Sequence, residues 1–350
     1  MTAGAPRRLS LVIPGLFGPA AIKQMPEAWQ GLSLPALEGL LARAERGGAD
    51  GVNLEQTLFA LFKAAGGVDA DVPVAAVTRQ WDAKDAGGHW WLRADPVHLR
   101  ADRDRIVMLG NTVLTISNEE CAQLAAELNR HFRGEAWNLE ALNAARWYLR
   151  LDGDPHIRTE ALPDVVGQDI LHHMPRGPAE RRWRGLLNEV QMVLHASAVN
   201  RAREAQGLLP VNSLWFWGSG RLPQLPRGAW SQAWGNDAVT QGLAALAGVP
   251  CATLPDGAAE WLEDDAPGEH LAVMDAVRAK IQFGDVEGWR EFLESLHEYW
   301  LQPLFAALKQ RRLAALSLFP ADGTAFHVSA GAARRWWVRR RPMAAWLRMK

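Results

Sequence analysis

The sequence predicts an α/β protein whose core is assembled from both ends of the chain, with an α+β domain inserted between them. Three observations carry this. Apolar strand-like runs alternate with helical periodicities near both termini. The middle of the chain is rich in short β patterns instead. At 350 residues the chain also exceeds what one compact core usually holds. The expected division is 1–66 and 208–350 for the core and 67–207 for the insertion.

The run LSLVI, residues 9–13, reads as a buried first strand. Arg7, Arg8 and the apolar residues after them imitate a signal peptide, but Pro14, Gly15, Gly18 and Pro19 break the run. Residues 34–44 space Leu37, Leu40 and Leu41 as a helix, and residues 53–65 do the same with Leu54, Leu58, Leu61 and Phe62. Residues 66–73 read as a loop and a domain boundary. RIVMLGNTVLTI holds two apolar runs around Gly110-Asn111, a hairpin pattern. Ser117, three residues before Glu120, is a capping-box signature for a helix carrying Leu124, Leu128 and Phe132. RWYLRLDGDPHIR reads as a second hairpin around Asp152-Gly153.

One long helix is expected over 179–205, with Leu186, Leu187, Val190, Val193, Leu194 and Ala198 on its apolar face and Gly207 closing it. The strand SLWFW follows, then a helix over about 237–246 and a short strand-like piece, VPCATL. A long helix over 286–309 leads to a buried strand, LAALSLF.

Composition bounds the function. With 48% hydrophobic and 22% charged residues the chain is of the soluble globular class. A net charge of −1 gives no global field to attract nucleic acid or an anionic membrane. Cys121 and Cys251 form no CxxC, which disfavours a disulfide framework or structural zinc and fits a cytoplasmic protein. No apolar stretch is long enough to predict a membrane-spanning helix. The 17 tryptophans read as fillers of large cores and seams.

The phosphate-loop, hydrolase-elbow and zincin signatures are all missing. Asn200 and Arg203 share a helix face, where they could hold a phosphate or carboxylate, or else cap the following loop. Gly218, Gly220 and Arg221 follow the SLWFW strand, where open α/β sheets place ligands. Glycines there let backbone N–H groups approach an anion, although a tight turn would use them equally well. His172-His173 are adjacent and converge poorly on one ion, and EDDAPGEH (263–270) reads as a solvated loop. From Ala333 onward the chain is basic and tryptophan-rich. RWWVRRR is expected to be a charged edge strand rather than a nucleic-acid or membrane surface.

Asn200, Arg203, Gly207, Pro210, Asn212, Trp215, Trp217, Gly218, Gly220 and Pro223 together resemble a segment of the archaeal-type 2,3-bisphosphoglycerate-independent phosphoglycerate mutases, members of the alkaline phosphatase superfamily. RWYLRL and LPDVVGQDILHHMPRG are similar to that family's inserted domain. WGNDAVTQGLAALAGV and GDVEGWREFLESLHEYWLQPLFAAL are similar to helices of its core. The resemblance is closest to a bacterial branch of RpfE-type regulatory proteins. It implies an alkaline-phosphatase-like core with an inserted α+β domain, and ligand-binding candidates Asn200, Arg203, Asn212, Gly218, Gly220 and Arg221.

The family's mechanism, as the resemblance implies it, needs two divalent metals and a serine that takes the phosphoryl group. At the matching places this chain has Pro14-Gly15 for an Asp-Gly, Asn53-Leu54-Glu55 for a Ser-Asp, and Asp322-Gly323-Thr324 for an Asp-His-Ser. Asp275, His297 and Asp322 read as remnants of metal ligands. The expectation is therefore a phosphoglycerate-mutase-like protein that has lost the phosphoryl-transfer site and takes no cofactor. It would act as a regulatory protein, or bind a phosphorylated small metabolite. The alternative is an active cofactor-independent mutase or phosphatase with a rearranged manganese or zinc site.

Overall fold

The computed structural model describes residues 6–18, 25–64, 71–110, 113–135, 137–282 and 284–347. In chain order the main elements are β1 (Arg8–Val12), α1 (Pro35–Arg43), β2 (Glu45–Gly48), α2 (Leu54–Leu61), α3 (Val74–Ala83), β3 (Trp90–Asp102), β4 (Arg105–Leu109) and α4 (Asn118–His131). They continue with β5 (Asn138–Ala141), β6 (Trp147–Leu151), α5 (Glu180–Ala196), α6 (Ala198–Ala205), β7 (Ser213–Gly220), β8 (Gln232–Trp234), α7 (Ala238–Ala247), β9 (Cys251–Ala252) and β10 (Glu269–Val273). Last come α8 (Val286–Ser295), a π-helical turn (Leu296–Leu301), α9 (Gln302–Lys309), β11 (Ala315–Phe319) and β12 (Thr324–Ser329).

The chain divides into two compact units, 1–64 with 225–350, and 65–224. The first unit holds a sheet ordered β2-β12-β11-β1-β10-β8-β9. Five strands, β11, β1, β10, β8 and β9, run parallel, while β12 pairs antiparallel with both β11 and β2. β1 lies between β10 and β11, so Leu9, Leu11 and Val12 are covered on both faces, which is why LSLVI shows no polar alternation. Leu37, Leu40 and Leu41 of α1 pack into the same core as Trp289, Leu293, Leu304 and Leu308. Each such side chain contributes about 1.5–3 kcal/mol by leaving water.

The helix expected over 286–309 is continuous but widens into the π turn before Pro303. Proline has no N–H to return to the preceding turn, and the wider spacing absorbs that gap. Several strands escaped the sequence reading, β10 and β12 among them. β10 begins at Glu269, inside the stretch expected to be a solvated loop. His270 is buried there, stacked 5.4 Å from Trp234 and edge-on at 5.6 Å to Trp261. β12 pairs with β11 on one side and β2 on the other. That position is therefore occupied, and RWWVRRR forms no edge strand; residues 334–342 have no regular structure.

The second unit is built on β3, whose 13 residues serve three partners. Its first half pairs with β6, its second half with β4, and Trp91 to Val97 with β7. That last pairing carries SLWFWGSG into the inserted unit. The second boundary therefore falls at 224/225 rather than at 207/208. Only the β6 half of the second expected hairpin is a strand, and β6 pairs with β5 and β3 instead of a following run. The turn expected at Gly110-Asn111 lies partly outside the described residues, as does most of the 66–73 loop; the run after it, from Val113 to Ile116, is not a strand. The capping box at Ser117 and Glu120 forms in full.

The single helix expected over 179–205 is two helices. Ser197 is extended (ψ 136°), and its hydroxyl accepts from Val199 N, so it caps α6 instead of continuing α5. Gly207 follows α6 with φ 74°, the left-handed position that closes a helix.

At the centre of this unit Arg93 and Asp95 form a buried ion pair with Nη2–Oδ2 and Nη2–Oδ1 at 2.7 Å. Asp95 also accepts from Trp217 Nε1 at 2.7 Å and Trp147 N at 3.2 Å, which ties β3, β6 and β7 together. Among the described residues no helix is long and apolar enough to cross a membrane. Asp95→Ala strands the Arg93 charge and is expected to cost about 3–5 kcal/mol of stability. A urea titration checks this as a lower midpoint at unchanged slope.

Candidate functional site

Parallel strands β1, β8, β10 and β11 end at one edge of the core sheet, and the loops leaving them carry the polar residues of the first unit. This is the edge at which open α/β sheets present ligand sites. Three carboxylates interact there: Glu55 in the first turn of α2, Asp237 before α7, and Asp275 after β10. Burial raises the Asp275 carboxyl, against the pull of Arg278, and Glu55 pushes it further up. Burial also raises Asp237, whose Oδ1 accepts from Val239 N and Thr240 N as the cap of α7. Its Oδ2 is buried without a partner.

Arg278 sits among these groups. Its Nη1 and Nη2 reach both oxygens of Glu55, at 2.8 and 3.2 Å, and both side chains are largely buried. A turn places it there, with Arg278 N donating to Asp275 O at 2.9 Å.

The residues matched by resemblance to the phosphoryl-transfer positions lie around this edge. Pro14 is buried after β1 and offers no donor. The Asn53 side chain accepts from Gln56 N at 2.9 Å as the cap of α2, and an amide is no phosphoryl acceptor. Asp322 Oδ1 takes Thr324 N and Oγ1, at 3.1 and 2.5 Å, in the turn before β12. His297 does not join them. It lies on the π turn, with Nε2 3.0 Å from Gln302 Nε2, and burial lowers its pKa.

Two divalent metals fit this donor set poorly. One carboxylate is taken up in a bidentate ion pair, and its guanidinium already supplies positive charge beside the other two. Among the described residues no group of three His, Cys, Asp or Glu side chains is placed to hold a metal.

In the second unit, four of the six expected ligand-binding residues are committed to the fold. Asn200 donates to Leu194 O and Val211 O at 2.7 Å and accepts from Val211 N at 2.9 Å, bracing the break between α5 and α6. Arg203, only 1% exposed, gives its guanidinium to Leu209 O, Leu114 O, Thr115 O and both oxygens of Glu120. Asn212 exchanges two hydrogen bonds with the backbone of Leu99. Gly218 N donates to Thr159 Oγ1, so it does not face an anion. The glycines answer to packing. A Cβ on Gly218 would stand 2.9 Å from Val74 Cβ, and one on Gly220 2.5 Å from Pro73 Cβ.

Gly220 and Arg221 do border a cavity of about 600 Å³ in this unit. Five of its other polar groups went unread in the sequence: Asp71, Asp154, His156, Arg158 and Ser219. They come from three separate stretches, before α3, after β6 and at the end of β7, so no single spacing could have joined them. Trp90 forms part of its wall, with Nε1 donating to Ser219 Oγ at 2.7 Å and the Arg221 guanidinium 5.6 Å from its ring. Arg158 and Arg221 are exposed cations at the cavity. Asp71 accepts from Thr159 Oγ1 at 2.5 Å. Of the histidine pair, His173 binds Glu160 at 2.5 Å while the His172 ring is exposed, so they do not converge.

No family model matches the chain. Segments of it are similar to 2,3-bisphosphoglycerate-independent phosphoglycerate mutases. A probable one from Geobacter sulfurreducens is 31% identical over 122 residues, which cover 33% of this chain and 30% of that protein. The one from Methanosarcina acetivorans is 25% identical over 174 residues, 47% of this chain and 43% of that protein. The matches thus span less than half of these relatives. Among solved structures, the cofactor-independent phosphoglycerate mutase from Thermoplasma acidophilum superposes with a TM-score of 0.50 at 16% identity, covering 97% of this chain and 94% of that one. The PH0037 protein from Pyrococcus horikoshii gives 0.55 at 14% identity, covering 97% and 92%. The fold is the alkaline-phosphatase type with an extra domain, and segments of the sequence are similar to phosphoglycerate mutases.

Burial holds the Asp71 carboxyl above its ordinary 3.8, against the opposing hydrogen bonds from Thr159. The folded state therefore keeps this proton better than the unfolded chain, and stability falls as pH rises from 3.8 through the folded value. Asp71→Asn removes that titration. Thermal melts across this window are expected to be flatter for the variant than for the wild type; superimposable profiles would reject the assignment.

Proposed function

We propose that this phosphoglycerate-mutase-like chain has lost metal-dependent phosphoryl transfer and works by binding, in a regulatory role of the kind found in the RpfE-type branch. The observation that carries the reading is the Glu55–Arg278 pair at the carboxyl edge of the core sheet. A divalent cation entering there must displace or approach a fixed guanidinium, and one of its carboxylate partners is already engaged by that guanidinium. Asn53, standing where the resemblance puts the phosphoryl-accepting serine, supplies no nucleophile.

The ligand we propose is a small phosphorylated acid in the cavity beside Gly220. Arg158 and Arg221 offer charge-assisted hydrogen bonds to its anionic groups, and Trp90 and Ile157 cover its carbon skeleton. A second reading, an active mutase or phosphatase with a rearranged manganese or zinc site, draws on the unpartnered Asp237 Oδ2 and the nearby Asp275.

Purified protein assayed for conversion of 3-phosphoglycerate to 2-phosphoglycerate, with manganese or zinc added, separates the two. The expected result is no turnover above background and no retained metal after desalting. Metal-dependent turnover would sink the binding-only reading. Calorimetric titration with 3-phosphoglycerate is expected to show saturable, metal-independent binding. Arg221→Ala, an exposed change, should weaken it by about tenfold or more, the scale of one lost hydrogen bond to a charged group.

A further inference from the structure

The basic, tryptophan-rich segment near the end of the chain is held open rather than folded into the sheet. A helical turn, Ala330–Ala333, precedes it and another, Met343–Leu347, follows it. Between them the backbone is pinned to α1. Arg43 donates to Arg335 O and Val338 O, both at 3.1 Å, and Glu38 accepts from Met343 N at 3.0 Å. The side chains of this stretch point outward. Trp336 is 85% exposed and Trp337 64%, with their rings edge-to-face at 5.9 Å.

Beside the segment a groove of about 640 Å³ runs along α1 and α9. Arg43, Lys309, Arg339 and Arg340 line it with Trp336, and no aspartate or glutamate does. Arg334, Arg335, Arg339, Arg340 and Arg341 form no ion pair among the described residues, and no acidic residue follows Asp322 in the sequence. Burial pushes the Arg43 guanidinium down, and Arg340 adds to the effect.

Uncompensated cations around a groove call for a polyanion, and exposed indole faces call for flat apolar partners. A bilayer surface is flat, whereas these cations line a concavity. An acidic peptide would neutralise the arginines but bring no planar groups to the two tryptophans. Unpaired bases on a phosphate chain satisfy both demands, by stacking on aromatic side chains along a positive groove. We propose that this groove binds single-stranded nucleic acid without sequence preference, with the phosphates along Arg339, Arg340 and Lys309 and bases stacked on Trp336 and Trp337. With an overall charge of −1 the attraction is local, so binding depends strongly on salt.

The test uses the full chain with fluorescently labelled oligouridylate and oligothymidylate, read by anisotropy and by quenching of tryptophan emission. Saturable binding is expected at about 50 mM salt, falling steeply by about 200 mM. Trp336→Ala with Trp337→Ala should weaken it about tenfold or more, the effect of lost base stacking. Arg339→Glu with Arg340→Glu should abolish it. All four positions are at least partly exposed, so an unchanged thermal melt confirms that the variants fold. Three results would overturn the proposal: no binding at low salt, binding indifferent to the tryptophan changes, or tighter tryptophan-dependent binding to phosphatidylserine vesicles or to polyglutamate than to the oligonucleotides.

Discussion

A buried carboxylate has to be neutralised where it stands, because Glu55 cannot turn to water once the surrounding sheet and helices have closed over it. Arg278 and Glu55 meet that requirement in a bidentate pair that joins the loop after β10 to the first turn of α2. This contact brings the positive charge to the edge where the other carboxylates of the core gather. Burial raises the carboxyls of Asp275 and Asp237, against the hydrogen bonds that cap α7 at Asp237 and the pull of Arg278 on Asp275. That pair and the burial around it set the local electrostatics of the core edge.

The inserted unit handles its buried polar groups by the same logic. Arg93 and Asp95, Arg203 and Glu120, Asn200 and Asn212 are each saturated by neighbours, and most of those neighbours are backbone atoms at a strand junction or helix end. An unpaired buried polar atom costs free energy comparable to a lost hydrogen bond, so such side chains are fixed by the fold they hold up. What remains available for binding is set by loops that the braces position: the cavity lined by Arg158, Arg221 and Trp90.

Tryptophan serves two purposes in this protein. Trp91, Trp147, Trp217, Trp234 and Trp289 fill cores, and some anchor through the indole N–H, as Trp91 does to Ala86 O and Trp217 to Asp95. Trp336 and Trp337 are the exposed exceptions. They sit on a stretch whose backbone is tied down by Arg43 and Glu38, which keeps a flat apolar surface in water beside a basic groove.

Periodicity and capping chemistry act over a few residues, and there the sequence by itself determined the outcome. The β1 strand, helices α1 and α2, the capping box at Ser117 and the cap-and-glycine frame of α6 can all be read from neighbouring residues. So can the broad plan of an α/β core with an inserted α+β domain. Tertiary structure decided what depends on partners distant in sequence. β7 joins β3, so a strand expected in the core belongs to the insertion. β2 takes the edge of β12, so RWWVRRR stays irregular. Asn200 and Arg203 are spaced as an anion clamp would be, yet backbone carbonyls and Glu120 consume them. Arg278 carries no local signal at all, and only the approach of Glu55 across the fold gives it its place. Spacing specifies which side chains share a face, but only packing determines what that face meets.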